Sequence, residues 1–211
     1  MCVRSFAWIA FGLTLSSGAD STRAGPQGDA QRDRVAALVR QLGHKEYAKR
    51  EAASKELATF GEPALAALKK AAASDADPEI RDRAGRTIQT ITHQLIGTDQ
   101  KHLEGTWVGV AHEQDGKESP ERTKIVLAEG QSVATNPAGV VIFRCAWTVI
   151  DPTAAPRKLD LVGSDGRVFQ AIYELDGTKL RYCGSYTERP DRFSTRPGDG
   201  RYMATLKREP K

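Results

Sequence analysis

Two hydrophobic periods divide this chain. From Asp29 to about Ile96 the apolar residues recur every three or four positions, and from Leu103 onward they alternate with polar ones. The first stretch therefore predicts helices and the second predicts strands. Val35, Leu38, Val39 and Leu42 fall on one helical face, and Gly43 ends that run as glycine does just past a helix. Ala52, Ala53, Leu57 and Phe60 mark a second helix, stopped by Gly61. Glu62-Pro63 opens a third, with proline in the first turn, carrying Leu65 and Leu68. Asp75-Ala76-Asp77-Pro78 breaks it, and Ile80, Ala84, Ile88 and Ile91 form the inward face of a fourth. The polar stretch Gly97-Thr98-Asp99-Gln100 predicts a linker too short to hold the two halves far apart.

The second half predicts eight short strands: Gly105–Glu113, Arg122–Leu127, a weak one at Ser132–Ala134, Val140–Ile150, Lys158–Val162, Arg167–Leu175, Lys179–Ser185 and Arg201–Arg208. Turn signals such as Asp115-Gly116, Glu129-Gly130, Asn136-Pro137 and Asp176-Gly177 separate them. Strands joined by such short turns suit an up-and-down barrel or a pair of packed sheets. The series closes on itself only if its first strand, opening with Gly105-Thr106-Trp107, meets its last. Arg208 shares the pleat phase of Leu206 and Tyr202, so its guanidinium can lie over the Trp107 indole at one end. Such a contact contributes about 0.5–2 kcal/mol. Gly105, Trp107 and Arg208 are thus the predicted closure device, structural in role.

Charge and the N-terminus narrow the class. Thirty-one basic residues against 27 acidic give a net charge of +4, with the signs well mixed along the chain. That pattern is a solvated surface, and it lacks the basic footprint of a nucleic-acid binder. Arg4 followed by the apolar run Phe6 to Leu15 and the small residues Ser17-Gly18-Ala19 reads as a secretory signal peptide over 1–19, with a second cleavage option at 24. The run is too short to span a bilayer. The expected organisation is then a disordered linker at 20–28, helices over 29–97 and a barrel over 101–209, in a protein exported to the periplasm or outside the cell.

The helices contain an internal repeat. Arg50, Ala53 and Leu57 recur as Arg81, Ala84 and Ile88 at an offset of 31 residues. A period in this range marks helical-pair solenoids. The segment Asp77-Pro78-Glu79-Ile80-Arg81, with the weaker copy Glu46 to Arg50, resembles the start of the second helix in HEAT-type repeats. That resemblance implies a surface that docks a protein partner; an ordinary four-helix bundle is the other reading.

The barrel half carries a second resemblance. Leu103-Glu104-Gly105-Thr106-Trp107, Lys158-Leu159-Asp160-Leu161, Ile172-Tyr173-Glu174-Leu175-Asp176-Gly177 with Leu180 and Cys183, Glu188-Arg189-Pro190 with Phe193-Ser194, and Leu206-Lys207-Arg208-Glu209 together resemble the lipocalin-like domain of unknown function abundant in exported planctomycete proteins. In that family such domains can sit beside HEAT-like repeats. The Gly- and Lys-rich stretch usual before the Tyr-Glu-Leu-Asp-Gly strand is shortened here to Gly163–Arg167. The resemblance implies fold and location; the family carries no established catalytic residues.

Candidate chemistry is sparse. Phe143, Trp147, Phe169, Tyr173, Tyr182 and Tyr202 are expected on the inner face, where they either line a cavity for a small apolar ligand or fill the barrel; filled interiors are usual for small barrels. Cys145 and Cys183 fall on opposite pleat faces of strands that are not neighbours in a meander, which argues against a disulfide. The polar loop from Thr187 to Gly200 offers Arg189, Arg192, Phe193 and Arg196 as contacts to a ligand or acidic partner, on the expectation that it caps one mouth; a solvated flap is the alternative. His44, His93, His102 and His112 are scattered without metal-ligand spacing, and His112-Glu113 with Asp115 is the best local cluster. No cofactor or metal is implied. The leading reading is a non-catalytic interaction protein, helices docking a partner and barrel as scaffold, with a carrier of a small apolar ligand and an enzyme using the barrel mouth as alternatives.

Overall fold

The computed structural model describes residues 26–119 and 122–210. The signal-peptide expectation lies outside the described residues. Four helices come first: α1 (Pro26–Gln41), α2 (Tyr47–Phe60), α3 (Glu62–Ser74) and α4 (Pro78–Leu103). Because α1 begins at Pro26, the last three residues of the expected linker are helical. Val35, Leu38, Leu42, Leu57, Leu65, Leu68 and Ile91 form the helical core together with Ala53, Ala64, Ala71 and Ala84. Gly61 joins α2 to α3 in a single residue at φ +65°, a left-handed conformation that a side chain disfavours.

The repeat seen in sequence is also a repeat of hydrogen bonds. Arg50 Nη1 donates to the carbonyls of His44 at 2.8 Å and Lys45 at 3.1 Å. Arg81 Nη1 donates to the carbonyls of Asp75 at 2.7 Å and Ala76 at 3.2 Å. Each arginine therefore ties down the connection that precedes its own helix. Arg83, 8% exposed, links α2 to α4 by binding Glu51 and Glu79, each at 2.5 Å.

The expected linker at 97–100 does not exist. Helix α4 runs unbroken for 26 residues through Gly97, and Asp77 caps its start by accepting from Glu79 N at 2.9 Å. An interior glycine costs a helix about 1 kcal/mol relative to alanine. Burial further along offsets that cost: Leu103 is fully buried within the barrel core, and Ile96 packs against the same cluster.

Strands β1 (Gly105–Gln114), β2 (Lys117–Ser119), β3 (Lys124–Ala128), β4 (Gln131–Thr135), β5 (Val141–Asp151), β6 (Arg157–Gly163), β7 (Val168–Asp176), β8 (Lys179–Ser185) and β9 (Tyr202–Arg208) follow. Neighbours in sequence are neighbours in space, and β1 pairs with β9 from Trp107↔Arg208 to Gln114↔Tyr202. That pairing closes an eight-stranded antiparallel barrel. The short β2, unforeseen from the sequence, is an appendage on the upper part of β1, where Asp115 and Gly116 both take positive φ in the hairpin turn.

Closure is held as the pleat phase predicts. Trp107 is fully buried, with the Arg208 guanidinium 4.2 Å from its ring centroid. Arg208 Nη1 donates to the carbonyl of Glu104 at 2.6 Å, its Nη2 donates to that of His102, and Trp107 Nε1 donates to that of Leu103 at 2.8 Å. One arginine and one indole thus satisfy three carbonyls where α4 ends. Gly105 sits at φ +135°, and a Cβ there would stand 2.5 Å from Arg208 Nη1, so the motif has room only for glycine at that position.

Candidate ligand-binding cavity

The interior is not filled. A cavity of about 350 Å³ occupies the barrel above Leu103, Leu127, Leu159, Leu180 and Leu206. The expectation of a packed core fails: an eight-stranded ring sets a bore that side chains can fill or that can hold one small ligand, and here the inward side chains leave part of it open. Its walls cannot slide together as helices can.

Five of the six predicted lining aromatics are in place: Phe143, Trp147, Phe169, Tyr182 and Tyr202. Tyr173 is the exception. It is fully buried near the α4 end, where its hydroxyl donates to Asp99 Oδ2 at 2.5 Å. Asp99, 6% exposed, also accepts from Arg157 Nη1 at 3.2 and 3.3 Å. This network joins α4 to β6 and β7 beneath the cavity. Burial foremost, then the carboxylate of Asp99, holds the Tyr173 phenol far above its ordinary range.

The upper part of the cavity has two unlike walls. Ile142, Phe143, Leu161 and Phe169, from β5 to β7, are apolar; Gln114, Thr123, Tyr182 and Tyr202, from β1, β8, β9 and the approach to β3, carry polar groups. Ile142 is 49% exposed and Phe143 38%, and Tyr186 beside them is 46% exposed, so the apolar wall continues to the mouth as a rim. A bulge makes this possible: Ala134 pairs Phe143 and Thr135 pairs Val141, leaving Ile142 out of register.

His112 is the residue that sequence reasoning misplaced. Strict alternation from Trp107 would turn it outward to solvent. Instead Gly109 pairs Leu206 and Ala111 pairs Thr205, so Val110 stands out of register at 61% exposure and His112 turns inward at 5%. Gly109 leaves the room for it, since a Cβ there would stand 2.0 Å from His112 Nε2. A glycine inside a strand was the available signal. His112 Nδ1 shares a hydrogen bond with the Tyr202 hydroxyl, and its Nε2 lies 3.4 Å from Thr123 Oγ1. Tyr182 packs on Tyr202 with ring centroids 5.9 Å apart; burial first and that neighbour second push the Tyr182 phenol well above its ordinary range. The cluster His112-Glu113-Asp115 does not converge: Glu113 accepts from Thr195, and Asp115 accepts from Gly200 N at 2.7 Å.

The loop after β8 lies along the wall rather than over the mouth. Arg189 donates to the carbonyls of Leu159 at 2.9 Å and Ala171 at 2.6 Å, and pairs with Asp160 at 2.5 Å. Phe193 lies 4.6 Å beneath the Arg181 guanidinium, and the Ser194 carbonyl faces Cys183 Sγ at 3.8 Å. Cys183 and Ile172, outward by pleat phase, are consequently buried. Arg189 and Phe193 are therefore pinned, half-buried, against the wall, while Arg192 and Arg196 stay exposed; of the described residues in this loop only Tyr186 reaches the cavity. Cys145 and Cys183 are both free and buried.

Among the described residues there is no group of three or more His, Cys, Asp or Glu side chains placed to hold a metal, and no helix is long and apolar enough to cross a membrane. The architecture is a closed antiparallel β-barrel with an internal apolar cavity, its floor sealed by the end of a helix. No family model, no curated protein and no solved structure matches the chain.

Proposed function

We propose that this protein is an exported, non-catalytic carrier that holds a small apolar molecule inside the barrel. One observation carries the reading: a cavity of about 350 Å³, lined chiefly by leucine, isoleucine and aromatic side chains, in a barrel whose other end is closed. Small-molecule sites span about 300–1,000 Å³ and are mostly apolar with a few placed polar groups. The lipocalin-like motifs of the second half support the same reading. The signal-peptide pattern supports export.

The helical half stands under the barrel as its base. A docking role for it, as a short HEAT-like stack, is a second proposal, favoured by Tyr47, which is 63% exposed with the Arg50 and Arg83 guanidiniums 5.6 Å from its ring. Native mass spectrometry of the protein purified from its own cells tests both. A released small-molecule adduct supports the carrier; a bare chain that also takes up no apolar fluorophore sinks it, and a co-purifying protein stoichiometric with the chain supports docking.

A further inference from the structure

We infer that the cavity selects an uncharged amphiphile, its apolar body on the leucine floor and a single hydrogen-bonding headgroup held against Tyr182 and Tyr202. This rests on the carrier reading and narrows it. Apart from Ser132 lower on β4, the polar groups lie on one upper wall, where Gln114, Tyr182 and Tyr202 stand across from the apolar Ile142, Phe143 and Phe169. A ligand that satisfies both walls and the floor has an apolar body with one polar edge or end.

The headgroup's charge follows from the lining. No described lining residue carries a charge. The arginine nearest the closed end, Arg208, is committed to the Trp107 ring and to the carbonyls of His102 and Glu104. A carboxylate or ammonium brought to the tyrosines would meet no charged lining side chain: His112 behind them is bonded to Tyr202, and Arg167 stands outside on the Tyr186 ring, so burying either ion costs more than burying a hydroxyl that finds a hydrogen bond. A phenol has one O–H donor and acceptor lone pairs, so Tyr182 can accept a hydrogen bond from a ligand hydroxyl. Hydrogen bonds here run from Thr123 through His112 to Tyr202, and Tyr182 packs on the Tyr202 ring. Bond and ring contact together hold the two phenols from behind and so fix where a headgroup would be met. Tyr182 is the deeper of the two, paired across the sheet with Tyr173 and Ala204, whereas Tyr202 pairs with Gln114 at the mouth.

The test uses the full chain with N-phenylnaphthylamine as a fluorescent reporter and three competitors of one chain length: dodecanol, dodecanoate and dodecyltrimethylammonium, at about pH 8, where the carboxylate is ionised. Dodecanol should displace the reporter with an apparent affinity at least about tenfold above either ion, the size expected from one well-placed hydrogen bond against one unpaired charge. In Tyr182→Phe that advantage should shrink to under about threefold, with near-UV circular dichroism confirming the fold. Reporter binding with dodecanoate or the ammonium competing as well as dodecanol overturns the headgroup inference and leaves the carrier standing. An undiminished preference in a folded Tyr182→Phe overturns the assignment to that tyrosine. A chain that binds neither reporter nor competitor overturns both readings.

Discussion

The two halves of this molecule bury their apolar residues in opposite ways. The helical half fills its core with small side chains, Ala53, Ala64, Ala71 and Ala84 beside a handful of leucines. The barrel half uses larger ones, Trp107, Trp147, Tyr173 and five leucines among them, and still leaves a cavity of about 350 Å³. Helices are independent rods that approach until their surfaces touch, so small residues bring them closer and leave no space. A closed barrel cannot contract in that way, because its bore is set by strand number and stagger. Large residues therefore do not guarantee a full interior, because a fixed ring cannot shrink onto space its side chains leave open.

The sharpest way to break this comparison is to open the ring. Trp107→Ala removes a fully buried indole, its bond to the Leu103 carbonyl and the Arg208 contact, and should cost about 3–5 kcal/mol in urea unfolding with loss of near-UV signal. An unchanged midpoint would mean closure is held elsewhere. A matched pair probes packing next. Leu57→Ala, fully buried in the helical core, should fall at the upper end of the usual range, about 4 kcal/mol, and Leu180→Ala, already facing space, nearer to about 2 kcal/mol. Equal costs would show that the barrel wall collapses onto the void.

The smallest effect separates the halves by pH. Hydrogen bonds from Arg83 hold the Glu51 and Glu79 carboxyls below their ordinary value. Their contribution is present above the unfolded carboxylate value, about 4.3, and is lost as pH falls through the depressed folded values. Both glutamates are more than a third exposed, so solvent weakens the effect. In the barrel, burial raises the thiols of Cys145 and Cys183 and the phenols of Tyr173 and Tyr182. A raised acid stabilises fully below its unfolded value, and that contribution is lost as pH climbs past about 8.5 for thiols and about 10 for phenols. Asp151, Asp165 and Asp191 of the barrel half are lowered as well, so acid weakens both halves, whereas alkali should first shift the fluorescence of Trp107 and Trp147. Loss of the helical far-UV signal at the same alkaline pH would show that the halves unfold as one unit.

Local pattern carried much of this architecture. The period of three and four placed Val35, Leu38, Leu57, Leu68 and Ile91 in the helical core, and the period of two placed Trp147, Leu180 and Leu206 inside the barrel. The offset of Arg50 and Arg81 anticipated a matching pair of hydrogen-bonded connections. Of the candidate site, the lining aromatics were legible apart from Tyr173. His112 was not, because one extra residue at Val110 inverts the pleat for everything after it. The roles of Arg189 and Phe193 were hidden too, since a polar loop gives no period from which to tell a wall from a mouth.

What the sequence determined by itself is the four helices, the eight strands of the barrel and the Gly105-Trp107-Arg208 clasp. These follow from residue spacing and pleat phase, which act over a few positions. What only the tertiary structure decided is the unbroken course of α4 into the barrel, the inward turn of His112 and the unfilled interior. Each depends on groups far apart in sequence. Asp99 stays helical in company with Tyr173, 74 residues away. His112 meets Tyr202, 90 residues away. The cavity belongs to no segment, because it is the space that eight strands enclose once the first has bonded to the last.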